Sequence, residues 1–168
     1  DISMRTSVFN RMKIENFLCK ANFDNEFSIA YQPIYALEEK TLIGFEALLR
    51  WRQPKVGMIS PDEFIPIAEN LGIIHSIGYW VLEQACMQLK SWQSYIEEIP
   101  YFKLNVNISA VQLLRQDSPE ELNAIMAREK VDPKYLALEI TETAFINNPE
   151  LASDQVIKLK SLGIEIQL

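Results

Sequence analysis

The sequence predicts an α/β fold: the N-terminal part of a (β/α)₈ TIM barrel that has an antiparallel first strand and is incomplete in this chain. From the third predicted strand onward, stretches of alternating apolar residues take turns with stretches of helical periodicity, which is typical of parallel βα units. The first two predicted strands are separated by a short turn, as in an antiparallel hairpin. A complete barrel of this class needs about 250 residues, whereas this chain has 168.

The composition is that of an ordinary globular domain, with 48% hydrophobic and 23% charged residues. The net charge of −7 argues against nucleic acid or an anionic membrane as the main partner, because both would repel the chain. No apolar run approaches the roughly 20 residues that cross a bilayer, and the N-terminus has no secretory signal pattern. We therefore expect a cytoplasmic domain, whose parent protein could be membrane-anchored through other regions.

The two cysteines, Cys19 and Cys86, lie in helical patterns and outside any spacing typical of zinc ligands. We expect both to be buried free thiols. The first residue is Asp1 rather than Met, so a further domain is expected upstream.

The N-terminal elements are predicted in this order. Residues 4–21 carry apolar side chains at helical spacing. Residues 27–34 alternate as a strand in which Pro33 is expected to end regular pairing. An acidic turn at residues 38–40 then leads into the strand 42–51, which makes the hairpin.

Capping boxes are predicted to open two of the following helices. Ser-Pro-Asp-Glu at residues 60–63 precedes a helix to about residue 71, and Ser-Pro-Glu-Glu at residues 118–121 precedes one to about residue 129. Another helix is predicted at about 74–95, and a last one begins at Asn148 and ends at Gly163. The remaining strands are predicted at 102–109, 136–143 and 164–168.

The strand at residues 42–51 has one unusual face. Its bulky apolar residues alternate with a side that carries Glu46 and Arg50, and such charges must meet water or point into a site. In a barrel the apolar sides pack against the outer helices, so the other sides point inward. Late inward positions lie at the rim where barrel enzymes carry their chemistry: Gln32, Glu46, Arg50, Asn107 and Glu139.

These inward residues match the chemistry of phosphodiester hydrolysis. Two carboxylates and an amide oxygen, from Glu46, Asn107 and Glu139, suit Mg²⁺ or Mn²⁺ and suit zinc poorly. Arg50 beside them can bind a phosphate, and a metal ion can activate water for attack on it. The residues alone leave a second interpretation open, in which Glu46 and Arg50 form a structural salt bridge and Asn107 satisfies backbone groups. His75 is predicted to be solvated or to cap a helix.

Five motifs resemble those of EAL domains, bacterial phosphodiesterases that linearise cyclic di-GMP. They occur in order over essentially the whole chain, residues 1–168. The N-terminal helix takes residues 4–21 and the barrel elements take residues 27–168. The motifs are Tyr31-Gln32-Pro33-Ile34, Glu46-Ala47-Leu48-Leu49-Arg50-Trp51, Ser60-Pro61-Asp62-Glu63-Phe64-Ile65-Pro66 with Ala68-Glu69, Asn105-Val106-Asn107-Ile108-Ser109, and Glu139-Ile140-Thr141-Glu142-Thr143.

The resemblance implies an EAL-type barrel that hydrolyses cyclic di-GMP to linear pGpG with Mg²⁺ or Mn²⁺. The metal ligands it implies are Glu46, Asn107 and Glu139, and the two glutamates are expected to be catalytic. The residues expected to contact the dinucleotide are Gln32, Leu48 and Arg50, with Arg50 at a phosphate. Glu142 is expected to support the loop beside the metal site and the dimer interface.

The resemblance also implies site residues that would follow the last residue of this sequence. The family pattern continues into an Asp-Asp-Phe-Gly run, and later strands add a lysine and a glutamate; all of these would follow Leu168. The chain is thus expected to be inactive by itself and, because of its open sheet edge, to form a homodimer. A sensory or GGDEF domain is expected upstream. The alternatives are a non-catalytic cyclic di-GMP receptor and a protein-interaction module.

Overall fold

A computed structural model of the chain describes residues 2–38 and 40–168; the side chains of residues 2–8 and 147 lie outside this description, as does Glu39 of the predicted acidic turn. The helices are α1 (Ile2–Leu18), α2 (Phe23–Glu26), α3 (Pro61–Leu71), α4 (Ile74–Ile96), α5 (Ala110–Leu113), α6 (Ser118–Glu129), α7 (Thr143–Asn147) and α8 (Pro149–Ser161). The strands are β1 (Phe27–Tyr35), β2 (Leu42–Gln53), β3 (Gly57–Ile59), β4 (Lys103–Ile108), β5 (Leu136–Ile140) and β6 (Glu165–Gln167). A 3₁₀ turn, Pro133–Tyr135, precedes β5.

The strands form one mixed sheet in the order β1-β2-β4-β5-β6, with the short β3 paired to β2. Strands β2, β4, β5 and β6 are parallel neighbours, joined by helical crossovers. The predicted barrel segment with an antiparallel first strand is therefore confirmed.

The first hairpin continues further than the sequence predicted. Strands β1 and β2 pair antiparallel from Phe27 opposite Trp51 to Tyr35 opposite Leu42. Pro33 lies within this pairing, opposite Phe45, so the expectation that it ends the pairing was wrong. Because β1 is an edge strand, a residue without a backbone N–H can be accommodated there.

The hydrophobic core lies between the sheet and its helices. Trp51 on β2 and Phe64 on α3 are each fully buried, and their ring centroids are 5.3 Å apart. The Trp51 ring also stacks on Phe27, at 5.5 Å, and its Nε1 donates a hydrogen bond of 3.0 Å to Oε2 of Glu26. The apolar side of β2 thus holds the N-terminal elements against α3, which leaves the other side for the polar residues.

The helix starts differ from the predicted capping boxes. Ser60 is the N-cap of α3 but makes no side-chain cap bond, and Ser118 is itself the first residue of α6 after an Asp117 N-cap that also lacks one. A complete capping box is found instead at α5, where Ser109 and Gln112 exchange hydrogen bonds. A proline follows both predicted serines, but no proline follows Ser109.

Other element ends also differ. The N-terminal helix α1 ends at Leu18 rather than at residue 21, and Cys19, which follows it, is exposed while Cys86 is buried. The prediction that both thiols are buried was therefore wrong for Cys19. Strand β5 ends at Ile140, because the backbone from Thr141 turns into α7 instead of extending to residue 143.

Within the described residues, no helix is both long and apolar enough to span a membrane.

Candidate active site

The polar side chains of the inner sheet face lie in two neighbouring rows, because residues paired across adjacent strands point to the same side. Gln32 on β1 lies opposite Glu46 on β2, and Glu46 lies opposite Asn105 on β4. In the next row, Asn107 on β4 lies opposite Glu139 on β5. The structure therefore places four predicted site residues on one face.

Two of the three predicted metal ligands are in direct contact. The Nδ2 atom of Asn107 donates a hydrogen bond of 2.9 Å to Oε1 of Glu46. Within the described part of the chain, no hydrogen bond reaches Oδ1 of Asn107 or Oε2 of Glu46. The amide of Asn107 and the carboxylate of Glu46 are thus held in contact, and one oxygen of each remains free to bind another group.

The third predicted ligand is held by a residue that the sequence did not single out. Oε1 of Glu139 accepts a hydrogen bond of 2.6 Å from Nδ2 of Asn105, and this is the only hydrogen bond to its carboxylate within residues 2–38 and 40–168. Asn105 is 5% exposed, whereas Glu139 is half-buried. The alternation of a strand puts Asn105 on the same face as Asn107, but its contact with Glu139 depends on side-chain direction, which periodicity does not give.

A cavity of about 630 Å³ opens at the carboxyl ends of β2 and β4. Arg50 lines it and donates from Nη1 to the backbone oxygen of Leu49 at 3.0 Å, which leaves its other N–H groups for another acceptor. Leu48 and Asn107 line the same cavity. Glu46, Glu139 and the exposed Gln32 do not belong to the lining. The lining also includes one side of α3, the first two turns of α4 and the β4–α5 loop.

The β4–α5 loop is fixed by the capping box that sequence analysis missed. Oε1 of Gln112 accepts from the backbone N–H of Ser109 at 3.0 Å, and Oγ of Ser109 accepts from the backbone N–H of Gln112 at 3.3 Å. Gly78 on α4 makes this possible, since a Cβ at that position would overlap the Gln112 side-chain amide. The Ser-x-x-Gln spacing at residues 109–112 is a capping-box pattern that can be recognised in the sequence.

The chain is similar to known proteins. The EAL domain family model matches residues 18–168. The chain belongs to the EAL domain family. It is 32% identical over 166 residues to the oxygen sensor protein DosP of Escherichia coli, covering 99% of this chain and 20% of that protein. It is 30% identical over 166 residues to the bifunctional diguanylate cyclase/cyclic di-GMP phosphodiesterase MucR of Pseudomonas aeruginosa, covering 99% of this chain and 24% of that protein.

Solved EAL structures share the fold. The EAL enzyme Bd1971 in its cGMP-bound form superimposes with a TM-score of 0.86 at 32% identity, over 96% of this chain and 45% of that one. The PaMucR phosphodiesterase in complex with c-di-GMP gives a TM-score of 0.84 at 30% identity, over 92% of this chain and 62% of that one. This EAL chain therefore spans about a fifth to a quarter of those two curated relatives and about half of the solved chains.

The donor set of this EAL chain fits a hard divalent cation. No group of three or more His, Cys, Asp or Glu side chains that could hold a metal ion occurs among the described residues. The predicted set is of another kind, with an amide oxygen beside two carboxylates, and oxygen donors of this mixture suit Mg²⁺ or Mn²⁺. The free Oδ1 of Asn107, fixed by the contact of its Nδ2 with Glu46, is a suitable ligand atom.

Two further predicted residues lie at the margins of the site. Glu142 is the N-cap of α7, and its backbone oxygen accepts from Phe145 at 3.0 Å; its side chain is exposed, so a loop-supporting role for the carboxylate stays a prediction. His75 is the second residue of α4 and is half-buried. Burial lowers its pKa, and the nearby Arg115 guanidinium lowers it further.

Proposed function

We propose that these residues belong to a metal-dependent phosphodiesterase domain that hydrolyses cyclic di-GMP to linear pGpG. The observation that carries the proposal is the contact between Asn107 and Glu46 at the edge of a cavity lined by Arg50. The relative MucR, named as a bifunctional diguanylate cyclase/cyclic di-GMP phosphodiesterase, and the solved PaMucR phosphodiesterase in complex with c-di-GMP support the choice of substrate.

The site residues bind the metal ion, the phosphate or the dinucleotide in the proposed reaction. Glu46, Asn107 and Glu139 would hold Mg²⁺ or Mn²⁺, which supplies a polarised water and charge neutralisation at the phosphate. Arg50 binds a phosphate oxygen through its free N–H groups and fixes the phosphodiester in the cavity. Gln32 and Leu48 are assigned to the dinucleotide, with Gln32 reaching it from the strand next to Glu46. In the reaction, water adds across one of the two phosphodiester bonds.

The cavity has a suitable size for part of such a ligand. Binding cavities of small molecules fall between about 300 and 1,000 Å³, and this one holds about 630 Å³. Its wall combines apolar side chains from α4 with the charged groups of Arg50, Asp62 and Glu69. An apolar wall beside a cation suits a nucleotide, which carries a flat base and a negative phosphate.

The proposal concerns the native polypeptide that contains these residues. We propose that the 168 residues by themselves are inactive, because the family resemblance implies an Asp-Asp-Phe-Gly run directly after Leu168 and a lysine and a glutamate on later strands. We also propose a homodimer, because the family resemblance implies a dimer interface beside the loop that Glu142 is expected to support. The expected regulatory partner is a sensory or GGDEF domain, and the cytoplasmic location stays a prediction.

The test compares turnover and binding in the same preparation. The native polypeptide is incubated with cyclic di-GMP and Mn²⁺ or Mg²⁺, with EDTA in a parallel sample, and linear pGpG is measured by anion-exchange chromatography. The proposal predicts pGpG with metal and none with EDTA. Calorimetry that shows cyclic di-GMP binding in EDTA, together with no turnover in metal, would instead select the receptor. Failure to bind the dinucleotide at all would favour an interaction module.

A further inference from the structure

A chain of hydrogen bonds crosses the inner face of the sheet from β6 to Glu139. Nζ of Lys103 lies 3.0 Å from Oε2 of Glu165, and Nε2 of Gln167 donates to Oε1 of Glu165 at 2.8 Å. Nδ2 of Asn105 then donates both to Oε1 of Gln167 at 2.8 Å and to Oε1 of Glu139 at 2.6 Å. The carboxylate of Glu139 is thereby connected to residues on two other strands.

The direction of every bond in this chain is fixed by its charged ends. An ionised carboxylate only accepts hydrogen bonds, so Gln167 must turn its NH₂ group toward Glu165 and its oxygen toward Asn105. Asn105 then faces two oxygens, one from Gln167 and one from Glu139, and only its NH₂ group can satisfy both. The amide orientation of Asn105 therefore follows from the network.

The surroundings of Asn105 direct its side chain toward Glu139. Its register partner on β5 is Ala137, which is fully buried and has only a methyl side chain. The amide of Asn105 can therefore reach along β5 to Glu139, two residues further on. The oxygen end of the amide makes no hydrogen bond, because Oδ1 of Asn105 is buried without a partner within the described residues. A buried unpaired oxygen destabilises a fold, so the packing alone does not favour asparagine here.

We propose that Asn105 is a positioning residue that holds Oε1 of Glu139 and so presents Oε2 to the divalent cation. This inference rests on the proposed function, since it assigns Glu139 to the metal. A hydrogen bond to one carboxylate oxygen restricts rotation of the carboxylate and directs the second oxygen away from the donor. Outer residues of this kind tune metal affinity without touching the metal.

The test measures Mn²⁺ affinity, which a merely structural residue would not change. Mn²⁺ is titrated into the native polypeptide without substrate, and free Mn²⁺ is followed by its electron paramagnetic resonance signal. Asn105→Ala is expected to weaken Mn²⁺ binding by roughly 10- to 100-fold, the range usual for the loss of such a partner. Asn105→Val fills more of the space and suits a strand, so it carries the same prediction if the alanine variant does not fold.

Gln155 on α8 provides the matched control. It is also a buried amide, 1% exposed. Among the described residues its Nε2 donates one hydrogen bond, of 2.9 Å, to the backbone oxygen of Arg115, and its Oε1 has no partner. Gln155→Ala is expected to lower stability while leaving Mn²⁺ affinity within about threefold of the unsubstituted protein, because Gln155 makes no contact with the predicted ligands.

The outcomes separate the two proposals. Unchanged Mn²⁺ affinity in a folded Asn105 variant, with normal pGpG formation, overturns the positioning role and leaves the proposed function standing. Equal weakening by Asn105→Ala and Gln155→Ala also overturns it, because the effect would then follow stability. An unsubstituted protein that binds no Mn²⁺ overturns both proposals.

Discussion

The side chains of Asn107 and Glu46 meet at 2.9 Å, although 61 residues separate them in the chain. Their contact joins β2 to β4 and lies next to the cavity that Arg50 lines. Because Asn107 uses its NH₂ group in this contact, its amide oxygen remains available as a metal ligand. The same hydrogen bond therefore orders the two side chains and, among the described residues, leaves Oδ1 of Asn107 and Oε2 of Glu46 without a partner.

Replacement of Arg50 is expected to weaken substrate binding more than it changes the fold. Hydrogen bonds to charged groups contribute about 1.5 to 3 kcal/mol, so Arg50→Ala should raise the KM for cyclic di-GMP by roughly 10- to 150-fold. The KM of Arg50→Lys should lie between those of the unsubstituted protein and Arg50→Ala, because lysine keeps the positive charge but lacks the planar guanidinium group. Steady-state kinetics in saturating Mn²⁺ measures both.

Arg52 supplies the matched control for Arg50. It is exposed on the same strand, two residues further on, and pairs with Met58 of β3 outside the cavity lining. Arg52→Ala should leave the KM within about twofold. Equal effects of the two substitutions would show that general positive charge, rather than contact by Arg50, attracts the dinucleotide.

Gly44 is expected to be essential for the pairing of β2 with β4. A Cβ at this position would overlap the backbone carbonyl oxygen of Lys103, and a backbone atom cannot move aside as a flexible side chain can. Gly44→Ala should therefore lower the free energy of unfolding by about 1 to 3 kcal/mol or more, measured by urea denaturation.

Gly57 serves as the comparison for Gly44. It has a φ of 84°, and no atom of the described residues lies within 4 Å of a Cβ added there. Asparagine tolerates this conformation. Gly57→Asn should lower the free energy of unfolding by less than about 1 kcal/mol. A Gly44→Ala protein as stable as the unsubstituted one would contradict the close approach of the two strands.

The two cysteines should differ in reactivity. Burial raises the pKa of the Cys86 thiol to about 12, so at pH 8 its thiolate fraction is about 10⁻⁴, and its side chain is fully buried. Cys19 is exposed. Iodoacetamide at pH 8 should modify Cys19 and leave Cys86 intact, as measured by peptide mass spectrometry.

The pH dependence of this labelling has a definite sign. Because the pKa of Cys86 is raised, its thiol stays protonated and unreactive as the pH rises from 7 to 10. Unfolding in urea should remove the difference and allow both cysteines to react. Native labelling of Cys86 at the rate of Cys19 would contradict its burial on α4.

The sequence allowed the site face to be predicted because strand periodicity and parallel register are local rules that extend across a sheet. Glu46, Asn107 and Glu139 share a face for that reason. Pro33 was misjudged because its effect depends on whether β1 is an edge strand, and that is a property of the sheet. The end of β5 at Ile140 was missed because the turn at Thr141 carries no glycine or proline signal.

Side-chain contacts were not predictable in the same way. The hydrogen bond from Asn105 to Glu139 requires the small Ala137 beside it and a carboxamide turned along β5. Periodicity gives the face of a residue but neither its rotamer nor its partner. The capping serines show the same limit, since Ser60 has the sequence signal without the hydrogen bond, whereas Ser109 has both.

The most direct test of the central claim is the rate of pGpG formation by Glu46→Gln in saturating Mn²⁺. Glutamine keeps the size of the side chain and removes its charge, so the native polypeptide carrying it should lose at least about 100-fold in rate. Glu63→Gln, an exposed carboxylate in the first turn of α3, should keep the full rate. Equal rates for Glu46→Gln and the unsubstituted protein would contradict a metal-dependent phosphodiesterase site at Glu46.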